Sequence, residues 1–192
     1  MSYYSLDTFF FVLIIQFQQS GKTVLSNFVA EATDLAGSEY RPTQGVRILE
    51  FESASLESDG QSSTLDVELW DCSGDTKFDE CWPSIMTNVN GVLLVYNHDQ
   101  PNHATDLEMW FTTFVAQQGL KESQCLVINN CKPSTSERRK TQLSPAVSKL
   151  THVNVNLEEN AEGARKEFQM FLGQLRGALS AKRDQEELSI IQ

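Results

Sequence analysis

The sequence predicts an α/β chain folded as a three-layer sandwich, with about six strands and five helices. Three observations carry this. Apolar runs rich in β-branched and aromatic residues recur at 9–15, 91–96 and 125–129. Runs of that length suit strands covered on both faces. Amphipathic helical stretches separate them, and two alternating segments at 46–51 and 65–70 read as a hairpin. Strands alternating with helices build a mostly parallel sheet with helices on both sides.

Each element follows in order. Residues 9–15 form the first strand and 23–32 the first helix. Residues 33–45 are rich in Gly, Ser, Pro and Thr and read as loop. In the hairpin, 53–63 is the polar turn. The second arm places Leu65, Val67 and Leu69 on one face and Asp66, Glu68 and Trp70 on the other. Residues 106–117 are helical, with Leu107, Trp110, Phe111 and Phe114 on one side. A charged loop at 133–142 precedes a short helix at 143–150 and an edge strand at 152–155. A long helix at 159–181 carries the stripe Ala164, Phe168, Phe171, Leu172, Leu175 and Leu179. One domain is expected over 1–181, with 182–192 as a charged, fraying tail.

At 192 residues the chain can bury roughly 70% of its unfolded surface. A net charge of -11 disfavours nucleic acid and anionic membranes, which require basic patches. Protein partners fit better. Cys72, Cys81, Cys125 and Cys131 show no Cys-x-x-Cys spacing, so reduced thiols in a cytoplasmic setting are expected. His98, His103 and His152 are scattered and do not suggest a metal site. The first apolar run is too short to span a membrane. A C-terminus without cysteine and a Met1-Ser2 start lead to the expectation of no lipid anchor.

The chemistry-bearing residues gather where strands end. Ser20-Gly21-Lys22-Thr23 lies between the first strand and the first helix. In that setting backbone N–H groups face phosphate oxygens, Lys22 adds a point charge and the Thr23 hydroxyl can ligate Mg²⁺. Asp71-Cys72-Ser73-Gly74 follows a strand; the carboxylate can hold Mg²⁺ through water, and Gly74 lets a backbone amide approach a terminal phosphate. Thr43, in Arg41-Pro42-Thr43-Gln44-Gly45, can bring its hydroxyl and carbonyl to the same ion. A loop ordered by a triphosphate in this way is the basis of a switch.

Together these motifs resemble the Ras-like small GTPases, especially their Rab-like branch. Residues 20–28, 40–51 and 68–83, with the tail 183–190, look like the Rab-like GTPase subunit of the intraflagellar transport complex B. The resemblance implies a Ras-like P-loop GTPase domain binding GTP or GDP with Mg²⁺. It implies coiled-coil subunits of the complex B core as partners, and a place in the cilium or flagellum and at its base. Its nucleotide contacts would come from Gln16, Phe17, Gln18, Gln19, Ser20, Gly21, Lys22, Thr23 and Thr43. Asp71, Cys72, Ser73, Gly74 and Asp75 would follow, then Asn129, Asn130, Cys131 and Lys132 beside the base. Thr23, Thr43 and Asp71 would hold the metal.

The sequence departs from this pattern at four places. Gln16 stands where the phosphate loop has its first Gly, which restricts the turn. Asp75 stands where most small GTPases carry the Gln that orients water, so no catalytic residue is assigned and slow hydrolysis is expected. The base loop Asn129-Asn130-Cys131-Lys132-Pro133 permits two registers, with Asn129 or Asn130 as the recognition Asn, and neither supplies the guanine-binding Asp. No Ser-Ala-Lys loop is evident near 153–157. A scaffold that has lost nucleotide is therefore the alternative. A P-loop kinase or ATPase would need a basic lid, for which only Arg138-Arg139 is available. Trp82, after the second switch, suits either a partner contact or the core.

Overall fold

The computed structural model describes residues 9–15, 21–32, 43–56, 60, 62–130 and 143–191. One six-stranded sheet organises them: β1 (Phe10–Ile15), β2 (Val46–Leu56), β3 (Ser62–Cys72), β4 (Gly91–Tyr96), β5 (Cys125–Asn130) and β6 (Thr151–Val155). The spatial order is β2-β3-β1-β4-β5-β6. Only β2 and β3 pair antiparallel; every other neighbour is parallel. This is the expected hairpin joined to a parallel sheet, with β6 on the edge.

Alternation along each strand sorts the core into two halves. Val12, Ile14, Val67, Leu69, Leu93 and Ile128 face α1 (Lys22–Val29) and α5 (Ala161–Ile191), packing on Leu25, Phe168, Phe171 and Leu172. Leu13, Ile15, Val92, Leu94 and Val127 face the opposite layer, where α2 (Trp82–Ile85) and α3 (His103–Phe111) supply Ile85, Leu107 and Trp110. A helix on each face of a sheet buried on both sides is the three-layer sandwich. Gly91 opens β4 directly beneath α5. A Cβ there would sit 2.7 Å from Leu175 Cδ1 and 2.9 Å from Phe171 Cζ, so the missing side chain lets the helix approach.

Four boundaries differ from the sequence reading, each for a physical reason. The hairpin strands run further than 53–63 as a turn would allow. Ser55, fully buried, donates to Ser63 O at 3.1 Å and lies 2.8 Å from Ser63 Oγ, so the buried hydroxyl is satisfied across the ladder. The third helix ends at Phe111, and a wider π turn over Thr112–Ala116 continues it, with Gln117 N donating to Thr112 O. That turn carries Phe114 and Val115 into the core. The short helix α4 (Pro145–Ser148) is capped by Ser144, whose side chain accepts from Val147 N. The last helix does not stop at 181 but continues to Ile191, giving 31 residues. Among the described residues, no helix is long and apolar enough to cross a membrane.

Trp82 resolves toward the core. It is half-buried and meets Trp110 edge-on at 5.1 Å and Phe114 at 5.4 Å between ring centroids.

Candidate nucleotide site

β1 lies between β3 and β4, so the sheet changes winding direction there. Ligands of open α/β sheets lie outside the carboxyl ends of strands at that point. Gly21 follows β1 with φ +81°, and α1 begins at Lys22. Among the described residues no side chain caps this helix, and its first turn has no acidic residue. Its leading N–H groups are thus left without a side-chain acceptor, the condition that favours an anion.

Asp71 is the centre of the site. It sits near the end of β3 and is fully buried. Thr43 Oγ1 donates to its Oδ2 at 3.2 Å, and Thr43 Oγ1 lies 3.2 Å from Thr23 Oγ1. Two hydroxyls and a carboxylate from three separate elements therefore converge within hydrogen-bond distance. Lys22 Nζ stands 3.9 Å from Asp71 Oδ1 and Arg47 Nη2 3.5 Å from Oδ2. Among the described residues Oδ1 itself has no hydrogen-bond partner. Burial lowers the Lys22 pKa from its ordinary value, and the attraction of Asp71 only partly opposes it. A phosphate would relieve that desolvation. The donor set also suits Mg²⁺, a hard ion that takes oxygen ligands. The buried, unpartnered Oδ1 gives it an acceptor.

The rest of the phosphate side is closely packed. Cys72, Ser73 and Gly74 are buried. Ser73 N donates to Gly45 O at 2.7 Å, which ties the end of β3 to the start of β2. The Cys72 thiol donates to Trp70 O and is pushed far up in pKa by burial, so the backbone rather than the thiol suits ligand contact. Asp75 turns to its own chain. Its carboxylate accepts from Lys77 N at 3.1 Å and pairs with Lys77 Nζ at 3.0 Å, capping the short 3-10 turn Thr76–Cys81. Those hydrogen bonds hold its pKa below the ordinary carboxylate value.

At the base side the two Asn residues separate. Asn129 Nδ2 donates to Asn154 Oδ1 at 2.9 Å, and its Oδ1 lies 3.2 Å from His98 Nδ1. Asn130 instead lies against the phosphate loop: a Cβ on Gly21 would overlap its amide nitrogen. Of the two Asn residues, Asn130 is the one placed beside Gly21. Gln16, Phe17, Gln18, Gln19, Ser20, Cys131 and Lys132 lie outside the described residues.

Sequence reasoning did not single out Arg47 or Asn27. Arg47 Nη2 donates to Asn27 Oδ1 at 2.5 Å, joining β2 to α1 above Asp71. A signal was present. Arg47 alternates with Leu49 and Phe51, so it is a charge on the core-facing side of a strand. Such a charge needs a buried partner.

The strand order, the uncapped helix after β1 and the hydroxyl–carboxylate cluster define a small GTPase domain of the Ras type. Residues 12–132 match the family described as Roc, the Ras of Complex domain of DAPkinase. More specific relatives cover nearly the whole chain. The intraflagellar transport protein 22 homolog of Danio rerio is 46% identical over 181 residues, spanning 94% of this chain and 97% of its own length. That of Homo sapiens is 45% identical over 174 residues, 90% of this chain and 93% of its own. The chain belongs to the intraflagellar transport protein 22 family. Among solved structures, the GTP-bound T. brucei IFT22/74/81 crystal structure superposes with a TM-score of 0.72 at 22% identity. It covers 92% of this chain and 99% of the matched one. GTP-bound T. brucei IFT22 alone gives 0.63 at 19%, covering 89% and 98%. At these identities the likeness is one of fold.

Proposed function

We propose that this chain is a nucleotide-dependent binding module, a small GTP-binding subunit of the intraflagellar transport B complex working in the cilium or flagellum and at its base. The observation that carries the reading is the convergence of Thr23, Thr43 and Asp71 beside Lys22. Thr23 and Thr43 would hold Mg²⁺ through their hydroxyls and Asp71 through water, while Lys22 meets the outer phosphates. The metal supplies neutralisation of the phosphate oxygens' charge. Thr43 precedes β2, so an ion held by Thr43 and Thr23 together would fix the chain entering the hairpin. Gly74 leaves room for its amide near the terminal phosphate. Asn130, beside Gly21, would stand next to the base.

Turnover is expected to be slow. The side chain at 75 is a carboxylate already engaged by Lys77, in place of an amide that orients water. The output is therefore an interaction. T. brucei IFT22 is solved GTP-bound as IFT22/74/81, which supports transport-complex subunits as the partners here; coiled-coil subunits of the complex B core are the ones proposed. Isothermal titration with GTP, GDP and ATP tests the nucleotide claim. Saturable binding is expected, and no binding of any of the three would sink it.

A scaffold without nucleotide is the second reading. It is favoured by the pairing of Asp71 with Arg47 and Lys22, which already gives the carboxylate counter-ions. Mass analysis of small molecules released from the purified protein separates the two. Copurifying guanine nucleotide removes this alternative.

A further inference from the structure

The Mg²⁺ reading leaves one charged group of the site without a role. Arg47 lies directly opposite Asp71 in the β2–β3 register. Its guanidinium approaches Oδ2, the same oxygen that accepts from Thr43. Asn27, on α1 one helical turn beyond Thr23, accepts from that same Nη2 nitrogen. Nη2 is thus shared between α1 and β3, and among the described residues Nε is buried without a partner.

We infer that Arg47 is a built-in counter-ion that holds Asp71 when no divalent cation is bound and competes with that cation when one arrives. The inference rests on the Mg²⁺–nucleotide reading above. A fully buried carboxylate is costly without a positive partner. Arg47 provides one, 3.5 Å from Oδ2. It therefore keeps β2, β3 and α1 together in the ligand-free protein. The same positive charge works against the metal. Thr23, Thr43 and Asp71 would have to accept a doubly charged ion with Lys22 and Arg47 both beside it. Lys22 is compensated by phosphates in that state; Arg47 has no such phosphate in the reading. Metal binding must then displace the guanidinium or proceed against its charge. Arg47 thereby sets how much Mg²⁺ the site needs before the hairpin entry is fixed.

The test measures a fluorescent GTP analogue bound to the full chain across a buffered Mg²⁺ titration. It compares wild type with Arg47→Gln, Arg47→Met and Arg47→Lys, and melts each ligand-free protein. Both neutral variants are expected to lower the Mg²⁺ half-point by roughly tenfold, the scale on which groups around a ligand shell tune metal affinity. Both should also melt lower without ligand. Arg47→Lys keeps the charge and should stay near the wild-type half-point. Arg47→Met preserves apolar packing and remains informative if Arg47→Gln folds poorly. A merely structural Arg47 would lower melting without lowering the half-point. A half-point unmoved or raised in the neutral variants overturns the Arg47 inference alone. No analogue binding by the wild type overturns the nucleotide reading and the inference with it.

Discussion

Replacing Asp71 by Asn removes the charge at the centre of the site and little volume. The oxygens of Asp71 stand 3.5 Å from Arg47 and 3.9 Å from Lys22. With an effective dielectric constant of about 20, each attraction is about 4–5 kcal/mol. Carboxylate desolvation offsets several kcal/mol of that total. Lys22 is almost wholly buried, whereas Arg47 is about a third exposed and can turn toward water. Removing one member of a buried pair typically costs ~3–5 kcal/mol, and the escape open to Arg47 puts Asp71→Asn near the lower figure. For a chain of this length ~3 kcal/mol corresponds to a fall in Tm of about 6–12 °C. Thermal and denaturant melts of the ligand-free protein measure it, with the denaturant slope checked for constancy. A Tm equal to or above that of the wild type would refute the claim that this ion cluster holds the site together.

Other consequences are open to direct measurement. Gly91→Ala forces a methyl against Leu175 and Phe171 and should cost about 1–3 kcal/mol in denaturant unfolding; an unchanged midpoint would show that α5 can move aside. Cys81 is exposed, whereas Cys125 is buried with its thiol pushed up to about 12. Under native conditions at pH 8, alkylation followed by peptide mass analysis should mark Cys81 and spare Cys72 and Cys125. Labelling of Cys125 as fast as Cys81 would contradict the packing against β4. Asp75→Gln releases Lys77 and restores a water-orienting amide. Single-turnover GTP hydrolysis should rise, by up to about 10²-fold, the lower end of what one positioned group contributes. An unchanged rate would mean that residue 75 is not what limits hydrolysis.

Much of the fold was legible because burial writes itself into local composition. The continuous apolar runs of β1, β4 and β5 have the length and the β-branched or aromatic content of strands covered on both faces. The long stripe from Ala164 to Leu179 could only face a core. The polar end of the hairpin was not legible. Ser53, Ser55, Ser62 and Ser63 look like a turn until Ser55 meets Ser63 across the ladder, and that pairing depends on register. The extent of α5 was hidden for a related reason: the sequence after 181 is mostly polar, and Lys182, Asp184, Gln185, Glu187, Leu188 and Ser189 are exposed, so no periodic stripe marks their helix. In the site, Lys22, Thr23, Thr43 and Asp71 were recognisable as separate motifs, and the structure brings all four together. The different surroundings of Asn129 and Asn130 were not legible, because Asn154, His98 and Gly21 meet them only through tertiary packing. Arg47 was visible as a charge on an apolar face, but its partner lies on another strand.

The most direct test is a calorimetric titration of GTP into the full-length protein with and without Mg²⁺. The account predicts saturable binding that tightens when Mg²⁺ is present, since Thr23, Thr43 and Asp71 would act through the ion. Absence of GTP binding, or an affinity indifferent to Mg²⁺, would contradict it.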